Sequence, residues 1–378
     1  MTSPTPSASS TPSDAIEALP ESSWPEVLNA LLSGLDLSQS QAVWAIDEIM
    51  TGQATGAQVA GFAVGLRAKG EKPEEAAAFV QQLLKHGVHV TVPGITVDTC
   101  GTGGDGAGTL NISTAAALVA TAAGARVVKH GNRAASSKAG SADVLEALGV
   151  ALNVPPTAVP ECVAEVGICF FFAPVYHPSL RHAAVARREI GVQTVFNVLG
   201  PLANPARPQA QVVGVPNERF GELISGVLRG RGTYALVIKS HDGLDELSPT
   251  APATIWDVTG ARGPEVVVET VDPADLGIAR ATLADLEGAD AAFNAARLRE
   301  ALTPSDDATL TGVRDAIALN AAAALVAYDA AMGDATVGAD VKSRLAAALP
   351  RARQALDSGA ALGVLDRWVE VSQRLAAE

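Results

Sequence analysis

Apolar positions first become regular at Trp24, where Trp24, Val27, Leu28, Leu31 and Leu32 recur at helical spacing and Pro25 stands where a helix start tolerates it. Ser38 is placed to cap a second helix carrying Val43, Trp44, Ile46, Ile49 and Met50. Thr55 is placed to cap a third through Val59, Phe62, Ala63 and Leu66, and Pro73 opens a fourth through Phe79, Leu83 and Leu84. Short connections make this a small all-helical region. After Val88 the period changes: Ile95 to Asp98 predicts a short strand, glycine-rich turns follow, Thr114 to Ala123 predicts a helix, and Ala125 to Val128 predicts a second strand. Cys169 to Phe172, Gln211 to Val215 and Tyr234 to Ile238 repeat the strand pattern between helical stretches, the alternation of a mainly parallel sheet in an α/β fold. A helical insertion near Ser179 to Glu189 and a turn-rich stretch from Asn197 to Pro208 interrupt it, and the pattern does not say where the insertion packs. Strand-like pieces return at Thr254 to Val258 and Glu265 to Thr270, followed by alanine-rich helices over Val313 to Ala331 and Ala339 to Leu356.

Composition sharpens this picture in a few places. The chain has 378 residues, a length that implies about two domains. Only 4% of them are aromatic, and with so much alanine the helices are expected to pack closely. The opening residues, rich in Ser, Thr, Pro and Ala, carry no periodic apolar pattern and predict a mobile tail over residues 1–21. No uninterrupted run of about 18 apolar residues occurs, so no membrane span is expected. The first basic residue is Arg67, which is unlike a secretory signal. Cys100, Cys162 and Cys169 make neither an economical disulfide framework nor a close metal-ligand spacing, and a reducing cytoplasm is the simplest address. A formal charge of −14 argues against an extended nucleic-acid footprint but leaves room for anionic metabolites in a locally positive cleft.

Three stretches carry candidate chemistry. Between Asp98 and Thr109 five glycines (Gly101, Gly103, Gly104, Gly106 and Gly108) can bring backbone N–H groups close to a ligand. Asn111, Ser113 and Thr114 follow at a helix start, where unpaired N–H groups favour an anion. Any one of these residues alone reads as a turn or an ordinary cap; together, after a buried strand, they read as a phosphate cradle. The loop matches neither a dinucleotide fingerprint nor a P-loop, so no nucleotide cofactor is implied. The second stretch runs from Lys129 to Asp143, at the carboxyl end of a predicted strand, where ligand crevices form in parallel sheets. Lys129 and Arg133 can neutralise phosphate and Ser136 and Ser137 can donate to it, although a lone Lys or Arg is usually a solvated surface charge. His130 reads either as a partner for an aromatic substrate's carboxylate or as a holder of its own loop. The third stretch, Asp242 to Glu246, offers Asp245 and Glu246 at a strand end, suited to Mg²⁺ or to a solvated helix start.

Taken together, Gly101-Thr-Gly-Gly-Asp105, Asn111-Ile-Ser-Thr114, Lys129-His-Gly-Asn-Arg-Ala-Ala-Ser-Ser137 and Gly243-Leu-Asp-Glu246 resemble the anthranilate phosphoribosyltransferase family of tryptophan biosynthesis. Phe171-Phe-Ala-Pro174, His177-Pro178 and the run from Phe196 to Pro205 extend the resemblance, which covers Trp24 to about Ala361. It implies a nucleoside phosphorylase-like two-domain α/β fold, with a helical domain over 22–90 joined by an insertion near 175–204, and an α/β domain over 91–174 and 205–378. It further implies a homodimer, Mg²⁺, and transfer of the phosphoribosyl group of phosphoribosyl pyrophosphate (PRPP) to the amine of anthranilate. Carried over by residue, Gly101, Gly104, Asp105, Thr109, Asn111, Ile112, Ser113 and Thr114 would hold PRPP. Lys129, Gly131, Asn132, Arg133, Ala134, Ala135, Ser136, Ser137 and Ser141 would complete that site. Ser113, Asp245 and Glu246 would bind the metal, while His130, Asn132 and Arg187 would face anthranilate, Arg187 taking its carboxylate. Lys129, His130 and Arg187 are the expected catalytic residues. The sequence departs from the family pattern at Leu180, Gln193 and Ser240-His241. A nucleoside phosphorylase is the enzymatic rival, which would need no metal pair, and a nucleic-acid-binding paralogue is the rival from another class.

Overall fold

The structure, a computed structural model, describes residues 22–134, 138–334 and 338–378. The predicted tail and the candidate residues Ala135, Ser136 and Ser137 lie outside the described residues. The chain opens with α1 (Trp24–Leu32), α2 (Gln39–Met50), α3 (Gly56–Lys69) and α4 (Pro73–Lys85). Ser23, Ser38 and Thr55 accept from the backbone at Glu26, Gln41 and Gln58, whose side chains bond back to the cap. These reciprocal bonds fix the starts of the first three helices.

The sheet region follows as β1 (Val97–Gly101), α5 (Ile112–Ala122), β2 (Val127–Gly131), α6 (Ser141–Ala147), α7 (Val159–Val166) and β3 (Ile168–Phe172). A helical excursion, α8 (Ala173–Tyr176), α9 (Arg181–Ile190) and α10 (Phe196–Leu202), precedes β4 (Ala210–Gly214), α11 (Glu218–Gly230) and β5 (Tyr234–Ser240). The antiparallel strands β6 (Ala253–Asp257) and β7 (Val267–Val271) then lead to α12 (Ala291–Leu302), α13 (Thr311–Ala331), α14 (Val341–Asp357) and α15 (Ala360–Ala377). The strands form one sheet in the order β3-β2-β1-β4-β5-β6-β7. Its first five strands are parallel, so their carboxyl ends share one edge.

Buried residues of α5, α13, α14 and α15 cover one face of this sheet. On the other face, a second apolar core runs without a break from Trp24 and Phe62 through Phe196 and Ile224 to Val213, Val237 and Trp256. The first helices therefore share their core with the sheet. The insertion helix α9 packs against α2 and α3, a placement that the sequence pattern leaves open.

Several boundaries differ from expectation for physical reasons. Lys129, His130 and Gly131 stand inside β2, paired with Phe170, Phe171 and Phe172, rather than in a loop. Hydropathy ends that strand at Val128 because it cannot anticipate a buried lysine whose hydrogen bonds are supplied by a neighbouring strand. Within the stretch expected to be turns, α10 forms despite Gly200 and Pro201 because Phe196, Val198, Leu199 and Leu202 are buried. The composition of α13 makes 308–331 long and apolar enough to cross a membrane, yet 78% of that window is buried inside the protein, against α5, α14 and β4. It is the central helix of the core.

Candidate active site

The carboxyl ends of β1, β2 and β5 bring the three candidate stretches to one edge of the sheet. Gly103, Gly104, Gly106 and Gly108 all have positive φ, between 66° and 85°, a range that disfavours a side chain. At Gly101 the constraint is a close approach: a Cβ there would collide with the carboxylate of Asp245. That carboxylate accepts from Gly103 N–H at 2.8 Å, tying the first glycine loop to the acidic turn. Asn320 on α13 fixes the same turn from below, donating to the Leu247 carbonyl at 2.8 Å and accepting from Leu247 N–H at 3.0 Å.

Among the described residues neither Asp245 nor Glu246 forms an ion pair. Burial first, then the negative charge of Asp105, pushes the Asp245 carboxyl up to about 6. Burial and the charge of Asp245 push Glu246 well above the usual carboxylate range. Glu246 Oε2 is buried without a hydrogen-bond partner. Both residues, with Ser113, line a cavity of about 10 Å³, close to the space one water or small ion fills. Among the described residues no group of three His, Cys, Asp or Glu side chains makes a closed metal cage. Two carboxylates with room for water and substrate oxygens suit Mg²⁺, which is seldom bound by protein groups alone. The donor set therefore fits this ion.

Lys129 lies between the acids and the start of α5. Its side chain is 1% exposed, donates to the Thr99 carbonyl, and reaches Ser113 Oγ at 3.3 Å. Burial pushes its pKa down, while Asp98, Cys100 and Glu246 hold it up. Asp98, fully buried on β1, is itself pushed up to about 6 by burial, against the opposing pull of Lys129 and Asn204. It accepts from Asn204 Nδ2 at 2.9 Å and from His130 N–H at 3.2 Å.

His130 is held as the neutral ring. Burial, and then the neighbouring His177, press its pKa down to about 3. Its Nδ1 lies 3.0 Å from the Gly200 carbonyl, which can only accept, so Nδ1 carries the proton and Nε2 presents a lone pair. Nε2 is buried and has no protein partner. A lone pair cannot donate to a carboxylate, so of the two sequence readings the carboxylate-partner role does not fit this tautomer. His177 stands 5.3 Å away, ring centre to ring centre, and its Nε2–H donates to the Ala203 carbonyl at 2.6 Å.

The remaining candidates divide into open and committed groups. Arg133 is committed: it pairs with Asp143 and Glu146, both at 2.9 Å, and lies over the Phe172 ring. Asp143 also accepts from Ala134 N–H and Gly140 N–H, at 2.9 Å each. Asn132 and Ser141 belong to the same turn, the Asn132 carbonyl accepting from Ser141 Oγ at 3.4 Å. Asn111 is held by Ala139 and Asn294. Ile112 is core, and Thr114 is buried with an unpartnered hydroxyl. Thr109 bridges to Glu287, and Asp105 caps its own turn at Ala107 N–H, 3.2 Å away. Arg187 is half-buried over the Phe196 ring, and among the described residues it makes no ion pair. Burial lowers its pKa. Downstream of α9, Gln193 donates to the Gly104 carbonyl at 3.4 Å, so the insertion reaches the first glycine loop. Asn204, Asn320 and Asp143 organise the site and were not among the sequence candidates. Nothing in the local pattern marks an asparagine or aspartate whose partners lie on other elements.

This arrangement has close parallels. The glycosyl transferase family a/b domain matches residues 93–362, and the glycosyl transferase family helical bundle domain matches residues 25–87. Anthranilate phosphoribosyltransferase of Arthrobacter sp. (strain FB24) is 51% identical over 351 residues, covering 93% of this chain and 96% of that protein. The enzyme of Nocardioides sp. is 51% identical over 353 residues, covering 93% and 100%. Among solved structures, the anthranilate phosphoribosyltransferase of Thermus thermophilus aligns with a TM-score of 0.82 at 37% identity, covering 92% of this chain and 99% of that one. The Saccharomyces cerevisiae enzyme in complex with PRPP and Mg aligns at 0.81 with 26% identity, covering 93% and 98%. With relatives matched over nearly their whole length and the acidic turn, buried lysine and glycine loop meeting at one sheet edge, the chain belongs to the anthranilate phosphoribosyltransferase family.

Proposed function

We propose that the chain transfers the 5-phosphoribosyl group of PRPP to the amine of anthranilate, releasing pyrophosphate, as a Mg²⁺-dependent step of tryptophan biosynthesis. The observation that carries this reading is the half-buried, under-neutralised pair Asp245 and Glu246 beside the first glycine loop, with Glu246 Oε2 enclosed and unpartnered. A phosphorolytic enzyme would have no need of it.

In the reaction the bond from ribose C1 to pyrophosphate breaks, the bond from the anthranilate nitrogen to C1 forms, and the amine gives up a proton to solvent or pyrophosphate. Gly101, Gly104, Asp105, Thr109 and the α5 start from Asn111 to Thr114 would hold PRPP through backbone N–H groups and hydroxyls. Gly131, Asn132, Arg133, Ala134 and Ser141 would complete that site, together with Ala135, Ser136 and Ser137, which lie outside the described residues. Bound Mg²⁺, on Asp245, Glu246 and Ser113, would neutralise charge on the departing pyrophosphate. Lys129 adds a fixed positive charge in a site of low polarity, where it acts most strongly. Arg187 supplies an unpaired guanidinium for the anthranilate carboxylate. His130, with its free lone pair, suits the amine end, and Asn132 would align the ring.

The helical unit, 22–90 with the insertion near 175–204, would form one wall of the cleft and 91–174 with 205–378 the other. Exposed Leu32, Leu35, Val64 and Val185 gather on the side of α1, α3 and α9, which supports a homodimer through the helical face. Cys100, Cys162 and Cys169 are all free thiols, in keeping with a cytoplasmic address.

Loss of anthranilate fluorescence, followed with PRPP and with or without Mg²⁺, tests the reading directly. Turnover that requires both is expected. Turnover of a pyrimidine nucleoside with phosphate, and none of anthranilate, would overturn it in favour of a phosphorylase.

A further inference from the structure

At the opposite edge of the sheet, where β4 and β5 begin, a cavity of about 440 Å³ opens between α4, the loop before β4 and the turn before β5. That volume falls in the range of small-molecule sites. Its apolar lining includes Leu84, Leu202 and Pro208. Its polar lining includes Arg207, Arg231, Gln81 and Gln209. No carboxylate lines it, in a chain whose formal charge is −14.

The two arginines are placed close together without a counter-charge. Among the described residues neither forms an ion pair, although most arginines of this protein do. Arg207 and Arg231 are exposed at the mouth of the cavity, and partial desolvation there, with Arg207 adding like charge, brings the Arg231 pKa down to about 10. Its guanidinium is oriented by one bond, to the Leu202 carbonyl at 2.7 Å, leaving its other donors free. Arg207 has a φ of 49°, and among the described residues it is the only non-glycine with positive φ. A turn holds it there: Arg207 N–H donates to the Asn204 carbonyl at 3.0 Å, and Asn204 Oδ1 accepts from Ala206 N–H at 2.9 Å. Such a conformation is costly for a residue with a long side chain and persists only when its surroundings enforce it.

We propose that this cavity binds a small organic anion, a carboxylate or phosphate group on a compact apolar body, with Arg207 and Arg231 taking the charge and Leu84, Leu202 and Pro208 the body. The site is separate from the candidate active site and does not depend on the reaction assigned there. The segment between them is shared: Gly200 holds His130, Leu202 holds Arg231, and Asn204 holds Asp98.

Calorimetric titration of the full chain with benzoate, phenyl phosphate, inorganic phosphate and neutral benzyl alcohol tests the proposal, with Arg187→Ala run in parallel to remove the other candidate carboxylate contact. Benzoate or phenyl phosphate is expected to bind Arg187→Ala with one molecule per chain at this cavity, and the tighter of the two names the head group. Inorganic phosphate is expected to bind more weakly, and benzyl alcohol not at all. In Arg207→Asn combined with Arg231→Gln, binding is expected to weaken by about tenfold or more, the worth of a charged hydrogen bond. Asn tolerates positive φ, and Gln keeps a donor for Leu202. Should the double variant not fold, Arg207→Asn alone carries the same expectation. Binding that vanishes with Arg187→Ala, survives both cavity substitutions, or is matched by benzyl alcohol would overturn the proposal.

Discussion

At the scale of single residues, the site is built from charges kept out of water. Asp245 accepts from Gly103 N–H, but its burial beside Asp105 makes ionisation unfavourable without a cation. Asp245→Asn keeps an oxygen for Gly103 and removes the charge, so activity and stability should move in opposite directions. Turnover at saturating Mg²⁺ is expected to fall by about a hundredfold or more. Thermal unfolding of the metal-free protein near pH 8 is expected to shift upward. His130 makes a second, pH-dependent prediction. Its folded pKa, about 3, lies below the ordinary 6.5, so as pH falls through that window the unfolded chain takes up the proton first. The stability it contributes is present above about pH 6.5 and is lost towards pH 3. Asp98 and Asp245, raised from 3.8 to about 6, act in the opposite sense and favour the folded state as they protonate below pH 6. Those effects are common to wild type and His130→Asn. The stability difference between the two proteins, measured by denaturant unfolding, should therefore shrink as pH falls from 6.5 to 4; a constant difference would remove the case for a buried neutral ring.

At the scale of elements, two pieces outside the sheet set how the substrates are held. Asp143, on the first turn of α6, gathers Ala134 N–H, Gly140 N–H and Arg133. Its replacement by Ala removes these three contacts while leaving the core intact. The expected result is a rise in the KM for PRPP between about tenfold and a hundredfold, since small misplacements of positioning groups are expensive, with little change in thermal unfolding. α9 brings Arg187, and the segment after it brings Gln193 to Gly104. Arg187→Ala is expected to raise the KM for anthranilate by about tenfold or more and the KM for PRPP much less. Equal effects on both would count against a selective carboxylate contact. Gln193, one of the departures from the family pattern, donates to the Gly104 carbonyl of the first glycine loop.

At the scale of the whole molecule, one apolar core joins the helices to the sheet, so the relation between the walls of the cleft is set by packing rather than by a flexible link. Several of the exposed apolar side chains belong to the helical unit, among them Leu32, 81% exposed, and Val185, 52%. Leu32→Glu is expected to convert a dimer to a monomer in sedimentation equilibrium while circular dichroism stays unchanged. A wild-type chain that sediments as a monomer would remove the dimer from the proposed function.

The sequence by itself determined the helix caps, the change of period and the glycine-rich and acidic motifs, because these are local properties, whereas α10 and the last residues of β2 were decided by packing. The sequence therefore made legible the first four helices, the strand–helix alternation, and most of the candidate residues. Tertiary structure alone decided what those residues are free to do. Lys129 and His130 became strand residues because Asp98, Thr99 and Gly200 satisfy their hydrogen bonds from other elements. Arg133, though exposed, was tied up by Asp143 and Glu146, whereas among the described residues Arg187 makes no ion pair. Burial, tautomer and charge pairing depend on partners distant in sequence, and only the packed chain brings those partners together.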